Sequence, residues 1–157
     1  MFQGEVISIH IAPEEGERVV EVHEVQAVAG KGLEGDRYFL RSGTFARKWD
    51  PGNEVTLIES EAVEALGRDY GIRLGAGETR RNIMTSGVPL NHLVGREFRV
   101  GDAVLRGERL CDPCGLLERM TQPGVRMALA HRGGLNAAIV VGAVIRKGDR
   151  VWSDASG

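Results

Sequence analysis

The segment E-F-R-V-G-D-A-V-L-R-G, from Glu97 to Gly107, decides the fold. Phe98 and Val100 alternate with Glu97 and Arg99, the period-2 pattern of a strand with one buried and one solvated face. Gly101-Asp102 then supplies two residues that tolerate the positive φ of a tight hairpin turn, and Ala103 to Gly107 reads as the returning strand. Working outward, Val- and Ile-rich runs of the same kind predict strands at Gly4 to Ile11, Val19 to Val28, Glu54 to Ile58, Ala137 to Val141 and Arg150 to Trp152. Lys147-Gly148-Asp149-Arg150 repeats the Gly-Asp turn, and two such turns suggest a meander.

Helices are few. Ser60 is a candidate cap for Glu61 to Asp69, with Ala62, Val63, Leu66 and Tyr70 on one face and Gly71 ending it. A second helix is expected near Pro113, and a third from Val125 to His131, stopped by Gly133-Gly134. Short strands without an alternating strand-helix rhythm predict a mainly β fold, a closed or partly open β-barrel with a few short helices attached.

The chain has 157 residues, a length that suits one domain with an ordinary core, expected over about Gly4 to Val151 with a frayed tail from Ser153 to Gly157. Lysine and arginine number 20 against 22 acidic residues, a net charge of −2, and no block of like charge stands out. That excludes the electrostatic footprint of a general nucleic-acid binder. The longest apolar run, Ala137 to Ile145, is far short of the ~20 residues that span a bilayer. Met1 to Ala12 lacks the cationic and apolar segments of a signal peptide, so a reducing cytoplasm is the expected compartment, where Cys111 and Cys114 stay reduced. The 22 glycines are about twice the usual share of ~7%.

Three constellations carry chemistry. In Cys111-Asp112-Pro113-Cys114-Gly115-Leu116-Leu117, Asp112 is a candidate helix cap and Pro113 a first helical residue. Cys114 would follow, beside unsatisfied N-H groups that favour the thiolate. Asp112 and Glu118, the latter on the same helix face, would oppose that effect, and Arg109 could offset them. A buried inert cysteine, a C-x-x-C redox pair and a zinc ligand are the other readings; His10, His23, His92 and His131 have no zinc-finger spacing.

The second constellation is Gly30-Lys31-Gly32-Leu33-Glu34-Gly35-Asp36-Arg37. Its glycines would let backbone amides approach an anion, with Lys31 and Arg37 to neutralise it. The alternative is a tight turn with Asp36 and Arg37 as an exposed ion pair. Gly30, Gly32 and Gly35 match G-x-G-x-x-G, but no helix opens there, so the match is read as accidental. The third is Arg80-Arg81-Asn82-Ile83: adjacent arginines repel unless an anion sits between them, and Asn82 adds a donor and an acceptor. Two solvated arginines on opposite faces of a strand are the alternative. The polar loops at Ser42 to Asn53 and Gly75 to Arg80 are further places for function.

Taken in order, G-L-E-G-D-R at Gly32 to Arg37, R-R-N-I at Arg80 to Ile83, L-N-H-L-V-G-R-E-F-R-V-G at Leu90 to Gly101, P-C-G-L-L at Pro113 to Leu117 and G-A-V-I-R-K-G-D at Gly142 to Asp149 resemble the MOSC domain, the molybdenum cofactor sulfurase C-terminal domain. The resemblance runs from about Gly4 to Val151. It implies a stand-alone β-barrel domain whose reactive cysteine, matching Cys114, carries sulfur as a persulfide or ligates molybdenum. It also implies that Lys31, Arg37, Arg80 and Arg81 hold the phosphate and polar edge of the pterin of the molybdenum cofactor, with Gly32, Gly35 and Asn82 in the same binding set.

No sulfurase module is present in the sequence, so pyridoxal phosphate is expected only on a partner cysteine desulfurase acting as sulfur donor, with a small molecule or metal cofactor as acceptor. A non-enzymatic module that binds an anionic small molecule is the alternative from a different class. A molybdenum-dependent reductase of N-hydroxylated compounds is a third, made harder by the absence of the amino-terminal extension of such relatives. Cys111 could resolve a persulfide on Cys114 or simply pack.

Overall fold

The computed structural model describes residues 2–13, 19–36, 39, 51–113 and 115–153, with Gly115 and Leu116 as backbone only. The strands are β1 (Gln3–Ile11), β2 (Val20–Val22), β3 (Glu24–Val28), β4 (Gly32–Leu33), β5 (Val55–Glu59), β6 (Ile83–Ser86), β7 (Glu97–Val100), β8 (Ala103–Leu110), β9 (Leu135–Val141), β10 (Ala143–Arg146) and β11 (Arg150–Trp152). Among the described residues the α-helices are α1 (Ser60–Tyr70), α2 (Gly115–Met120) and α3 (Val125–Ala128). None is long and apolar enough to cross a membrane.

Hydrogen bonding runs β11-β7-β8-β9-β5-β6-β1, and β11 pairs back with β1 through Gln3–Trp152 and Glu5–Arg150, closing a seven-stranded barrel. The long β1 also carries β2 at its far end, where Ile9 to Ile11 face Val20 to Val22. A separate three-stranded sheet, β10-β3-β4, packs its Val25, Ala27, Leu33 and Ile145 into the barrel core. The expected mainly β barrel is therefore the observed fold, and it is closed.

The hairpin between β7 and β8 forms as its alternation predicts: Phe98, Val100, Ala103 and Leu105 are buried, and Glu97, Arg99 and Arg106 are exposed. Gly101 turns it with φ +58. The second Gly-Asp turn behaves differently. Asp149 N-H donates to the Arg146 carbonyl at 3.0 Å and Asp149 Oδ2 accepts from Arg146 N-H at 2.8 Å, so the turn is tight. Its two arms nevertheless leave for different sheets, β10 to β3 and β11 to β1 and β7, so the meander stops there. The single strand expected from Val19 to Val28 is likewise divided at His23 into β2 of the barrel and β3 of the small sheet. Both differences arise because a partner strand, not a local turn, decides where a strand goes.

β5 and β6 are parallel, with α1 as the crossover, so one strand-helix-strand unit is present where none was expected. Each contributes to two cores. Leu57 and Ile83, in register, point into the barrel. Ile58 and Met84, the next pair, point outward against Leu66, Ile72, Leu117, Val125, Ala128 and Leu129 of the helical layer.

The helix ends also differ from expectation. α1 starts at Ser60 itself, with Glu59 at the cap position, and Gly71 ends it with φ +68 as predicted. Ala62, Ala65 and Leu66 are its buried residues, whereas Tyr70 is 54% exposed: the last turn runs past the edge of the sheet. α3 stops at Ala128, and His131 beyond it has φ +65. Glu59 lies half-buried at the junction of β5 and α1; burial, then Glu61, raise its pKa against the Leu90 backbone hydrogen bond and His92.

Candidate functional site

One end of the barrel gathers the ends of β1, β5, β6, β8 and β9, and there the three constellations meet. Asn82, just before β6, is 9% exposed and joins the third of them to the second. Its Oδ1 accepts from Thr56 N-H at 3.0 Å and Thr56 Oγ1 at 3.2 Å; its Nδ2 donates to the His10 carbonyl at 3.0 Å and to Asp36 Oδ1 at 3.5 Å. The amide's four hydrogen-bonding positions are thus spent within the protein, and Asn82 ties β5, β1 and the Gly30–Asp36 loop together.

That loop lies closer to the core than its polar sequence suggests. Asp36 is 2% exposed and accepts from Ala12 N-H at 2.8 Å, so it is a buried carboxylate rather than the exposed one considered for the turn, and it docks the loop on β1. Glu54, equally buried, accepts from Gly30 N-H and Ile139 N-H, each at 3.1 Å. Gly32 (φ +122) passes within 3.0 Å of the Glu54 carbonyl, measured from where a Cβ would stand, so a side chain there meets both strain and backbone. Gly35 also has a positive φ, +88. Lys31 is exposed, with its Nζ 5.7 Å from the centre of the Phe39 ring. Arg37 lies outside the described residues.

The paired arginines diverge. They precede β6 rather than lying on it, and Arg80 takes the left-handed conformation, φ +60, which sends the two side chains apart. Arg81, 9% exposed, donates from Nε to the Gly133 carbonyl at 2.8 Å and from Nη2 to the Asp112 carbonyl at 3.5 Å. Cys111 N-H donates to the Gly134 carbonyl at 2.8 Å, so the segment leading to position 114 is held from two sides. Among the described residues, no carboxylate lies within ion-pair distance of Arg81. A buried guanidinium compensated only by carbonyl dipoles is costly unless an anion completes it.

Arg80, half-buried, instead lines an open cleft of 450 Å³ together with Val19, Gly77, Glu78, Met120 and Thr121. The cleft lies between the 3-10 turn Ala76–Thr79 and the carboxyl end of α2.

Cys114 lies outside the described residues. The described part of α2 begins at Gly115, and Asp112 and Pro113 before it are not helical. Glu118 Oε1 accepts from Gly124 N-H at 2.9 Å and Arg126 N-H at 3.3 Å, so its carboxylate caps the start of α3. Arg109 is directed to Asn53 Oδ1, at 3.5 Å, and to Asn136, whose amide oxygen faces the guanidinium at 3.2 Å from Nη2. Cys111 is half-buried. Among the described residues no three His, Cys, Asp or Glu side chains cluster as a metal site.

Sequence reasoning missed His10, Asp36 and Glu54 as parts of this end of the molecule. Asp36 and Glu54 gave no signal because burial of a carboxylate by backbone N-H groups has no local pattern. His10, on the outward face of β1, is 3% exposed, and its Nε2 lies 2.9 Å from Ser8 Oγ. Burial lowers its pKa below the ordinary 6.5, with Glu21 opposing.

The family model of the MOSC domain matches residues 44–152. No curated protein matches the sequence. Among solved structures, the YuaD protein from Bacillus subtilis superposes with a TM-score of 0.79 at 17% identity, covering 96% of this chain and 97% of that one. YiiM from Geobacillus stearothermophilus gives 0.70 at 17% identity over 95% and 74% of the two chains. YiiM from Escherichia coli gives 0.67 at 16% identity over 100% and 72%. At such identities these likenesses concern the fold. With the sequence match extending over more than half of the residues, the protein belongs to the MOSC domain family.

Proposed function

We propose that the protein binds the molybdenum cofactor at the barrel end built by residues 30–36, 80–82 and 111–113, with the Cys114 thiolate as ligand to the metal. The carrying observation is Arg81: a buried cation, bonded only to the Gly133 and Asp112 carbonyls among the described residues, at the base of the segment that leads to Cys114. A phosphate-bearing, polar-edged cofactor fits that donor set. Arg81 offers the charge. Asp36 and Glu54, the acidic groups that would repel an anion, are turned onto backbone N-H groups.

In this reading Arg81, with Lys31 and Arg37, holds the phosphate and pterin edge, and Arg80, which lines the neighbouring cleft, stands apart from them. Gly32 and Gly35 let the loop lie close, and Asn82 fixes the loop and β6 relative to one another. When bound, the cofactor would supply two-electron redox or sulfur chemistry. The chain's own part is to hold the anion, orient the Cys114 segment through the Arg81 bonds to Asp112 and Gly133, and present the thiolate.

The test is metal and pterin analysis of the full chain purified from a host that makes the cofactor. Molybdenum near one equivalent is expected, falling about tenfold or more in Arg81→Met and in Cys114→Ser. No molybdenum in the unaltered protein overturns the reading.

Cys111, half-buried three residues before Cys114, favours a second reading as a sulfur carrier. The Cys114 thiolate attacks the terminal sulfur of a persulfide on a cysteine desulfurase, whose own cysteine leaves as thiolate; pyridoxal phosphate stays on that partner. Cys111 can then attack the Cys114 sulfur, releasing hydrosulfide and leaving a Cys111–Cys114 disulfide. Mass spectrometry after desulfurase treatment should find one added sulfur on Cys114, retained longer in Cys111→Ser. Sulfur uptake by Cys114→Ser overturns this reading.

A further inference from the structure

The outer face of the helical layer is basic, although no unbroken run of basic residues marks it in the sequence. From Arg119 to Arg132 the chain holds three arginines and His131 and no acidic residue, in a protein whose net charge is −2. Leu117 of α2 and Val125, Ala128 and Leu129 at α3 are buried in one cluster against the sheet, so the apolar sides of both helices are already spent. What they turn outward is Arg119 and Met120 from α2 and Arg126 and Met127 from α3, all exposed. Met127, at 77%, is the most exposed large apolar side chain among the described residues.

The end of α1 joins the same surface. The Gln122 amide donates to the Arg73 carbonyl at 3.4 Å, and Ile72 Cδ1 lies 3.5 Å from where a Cβ on Gly124 would stand, so residues 70–73 abut the turn between α2 and α3. Tyr70 and Arg73 are exposed there. Two acidic residues of the same elements are already engaged: Glu118 accepts from Gly124 N-H and Arg126 N-H, and Asp69 holds Arg68 at 2.8 Å with Arg132 at 3.9 Å. Glu78, which shares the cleft with Met120, accepts from Gly75 N-H. Among the described residues, no carboxylate stands within ion-pair distance of Arg73, Arg119 or Arg126.

We propose that this face docks an acidic segment of a partner protein, whose carboxylates pair with Arg73, Arg119 and Arg126 and whose apolar side chains settle on Tyr70, Met120 and Met127. A guanidinium fork matches a carboxylate with two bonds, and the flexible methionine side chain adapts to the shape of an apolar partner. The charge of the face therefore selects the segment, and its methionines accommodate it. A lipid surface fits less well: an interfacial helix buries its apolar face in the membrane, and here those faces are turned to the sheet. The inference is independent of what binds at Arg81 and of the chemistry of Cys114.

The experiment uses the full chain, labelled with nitrogen-15 and with carbon-13 in its methionine methyl groups. The probe is a synthetic peptide of glutamates carrying two leucines four positions apart, and the same peptide with glutamine in place of glutamate is the neutral control. The glutamate peptide is expected to shift the Arg119 and Arg126 amides and the Met120 and Met127 methyl groups, and the glutamine peptide to bind about tenfold or more weakly. Arg119→Glu and Arg126→Glu should each weaken the glutamate peptide about threefold to tenfold. Arg99→Glu, at an exposed position on the barrel wall, changes the net charge equally and should leave binding as it was. Equal binding of the two peptides, shifts that miss the methionine methyl groups, or a loss in Arg99→Glu as large as in Arg126→Glu would each overturn the proposal. Phosphatidylglycerol vesicles that move the same signals while the peptide moves none would overturn it too, in favour of a membrane surface. Because both peptides are read on the unaltered protein, that comparison stands even where a variant fails to fold.

Discussion

The β7–β8 hairpin and the β5–β6 pair sit in the same barrel and obey different rules. The hairpin is antiparallel, has one wet face and closes through a local turn; its alternation of buried and exposed residues is nearly perfect. The β5–β6 pair is parallel, is covered on one side by the barrel core and on the other by the helical layer, and needs an eleven-residue helix to connect it. It is also the pair that carries the candidate site, since Thr56, Arg81 and Asn82 sit at its entry. A strand that can shield a site from water is a strand with no solvated face.

The sharpest way to break this comparison is to empty each core in turn. Phe98→Ala on the hairpin should cost about 3–5 kcal/mol, and Leu66→Ala in the helical layer about 2–5 kcal/mol. Denaturant unfolding followed by tryptophan fluorescence and by far-ultraviolet circular dichroism checks both. If the two cores are one cooperative unit, each variant shifts a single coincident transition; a helical layer that melts alone in Leu66→Ala would divide the molecule along the β5–β6 face.

Asn82→Ala tests the entry of the pair. It leaves Thr56 N-H and the His10 carbonyl without their partner, and a cost of about 1–3 kcal/mol is expected in the same assay.

Backbone strain should act with opposite sign in the two regions. Gly101→Ala forces a left-handed alanine into the hairpin turn and lowers stability by about 1–2 kcal/mol. Arg80→Gly relieves a left-handed arginine and should raise it by up to about 1 kcal/mol. A destabilised Arg80→Gly would mean that contacts of the guanidinium outweigh the strain.

The smallest effect is the one from pH. His10 is held neutral by burial, with a folded pKa below 6.5. Between that lowered value and 6.5 the unfolded chain binds more protons than the folded one, so stability present above 6.5 is lost as pH falls through the window. Stability profiles of the unaltered protein and His10→Gln should converge as the pH drops. Profiles that stay parallel would show that His10 titrates alike in both states.

The same contrast explains what could be read in advance. Gly101-Asp102, the Phe98 and Val100 alternation and the Gly71 stop are local, and each was legible from neighbouring residues. Ile83 to Ser86 was not recognised as a strand: Ile83, Met84 and Thr85 are all buried, which leaves no period to see. Arg80 and Arg81 read equally as an anion-holding pair or as two solvated arginines on a strand, and their divergence depends on one φ angle. The exposed reading of Asp36 failed for a similar reason, since Ala12 and Asn82, far away in sequence, decide its burial.

By itself, then, the sequence determined the barrel class, the tight turns, the family and the three segments of the candidate site. Those depend on side-chain alternation, glycine's tolerance of positive φ and the order of short motifs, all written locally. Only the tertiary structure decided that β11 closes on β1, that β10 and β11 part company, that Asp36 and Glu54 are buried, and that the two arginines face different neighbours. Each of these is settled by partners distant in the chain, through hydrogen bonds and burial that no window of sequence contains.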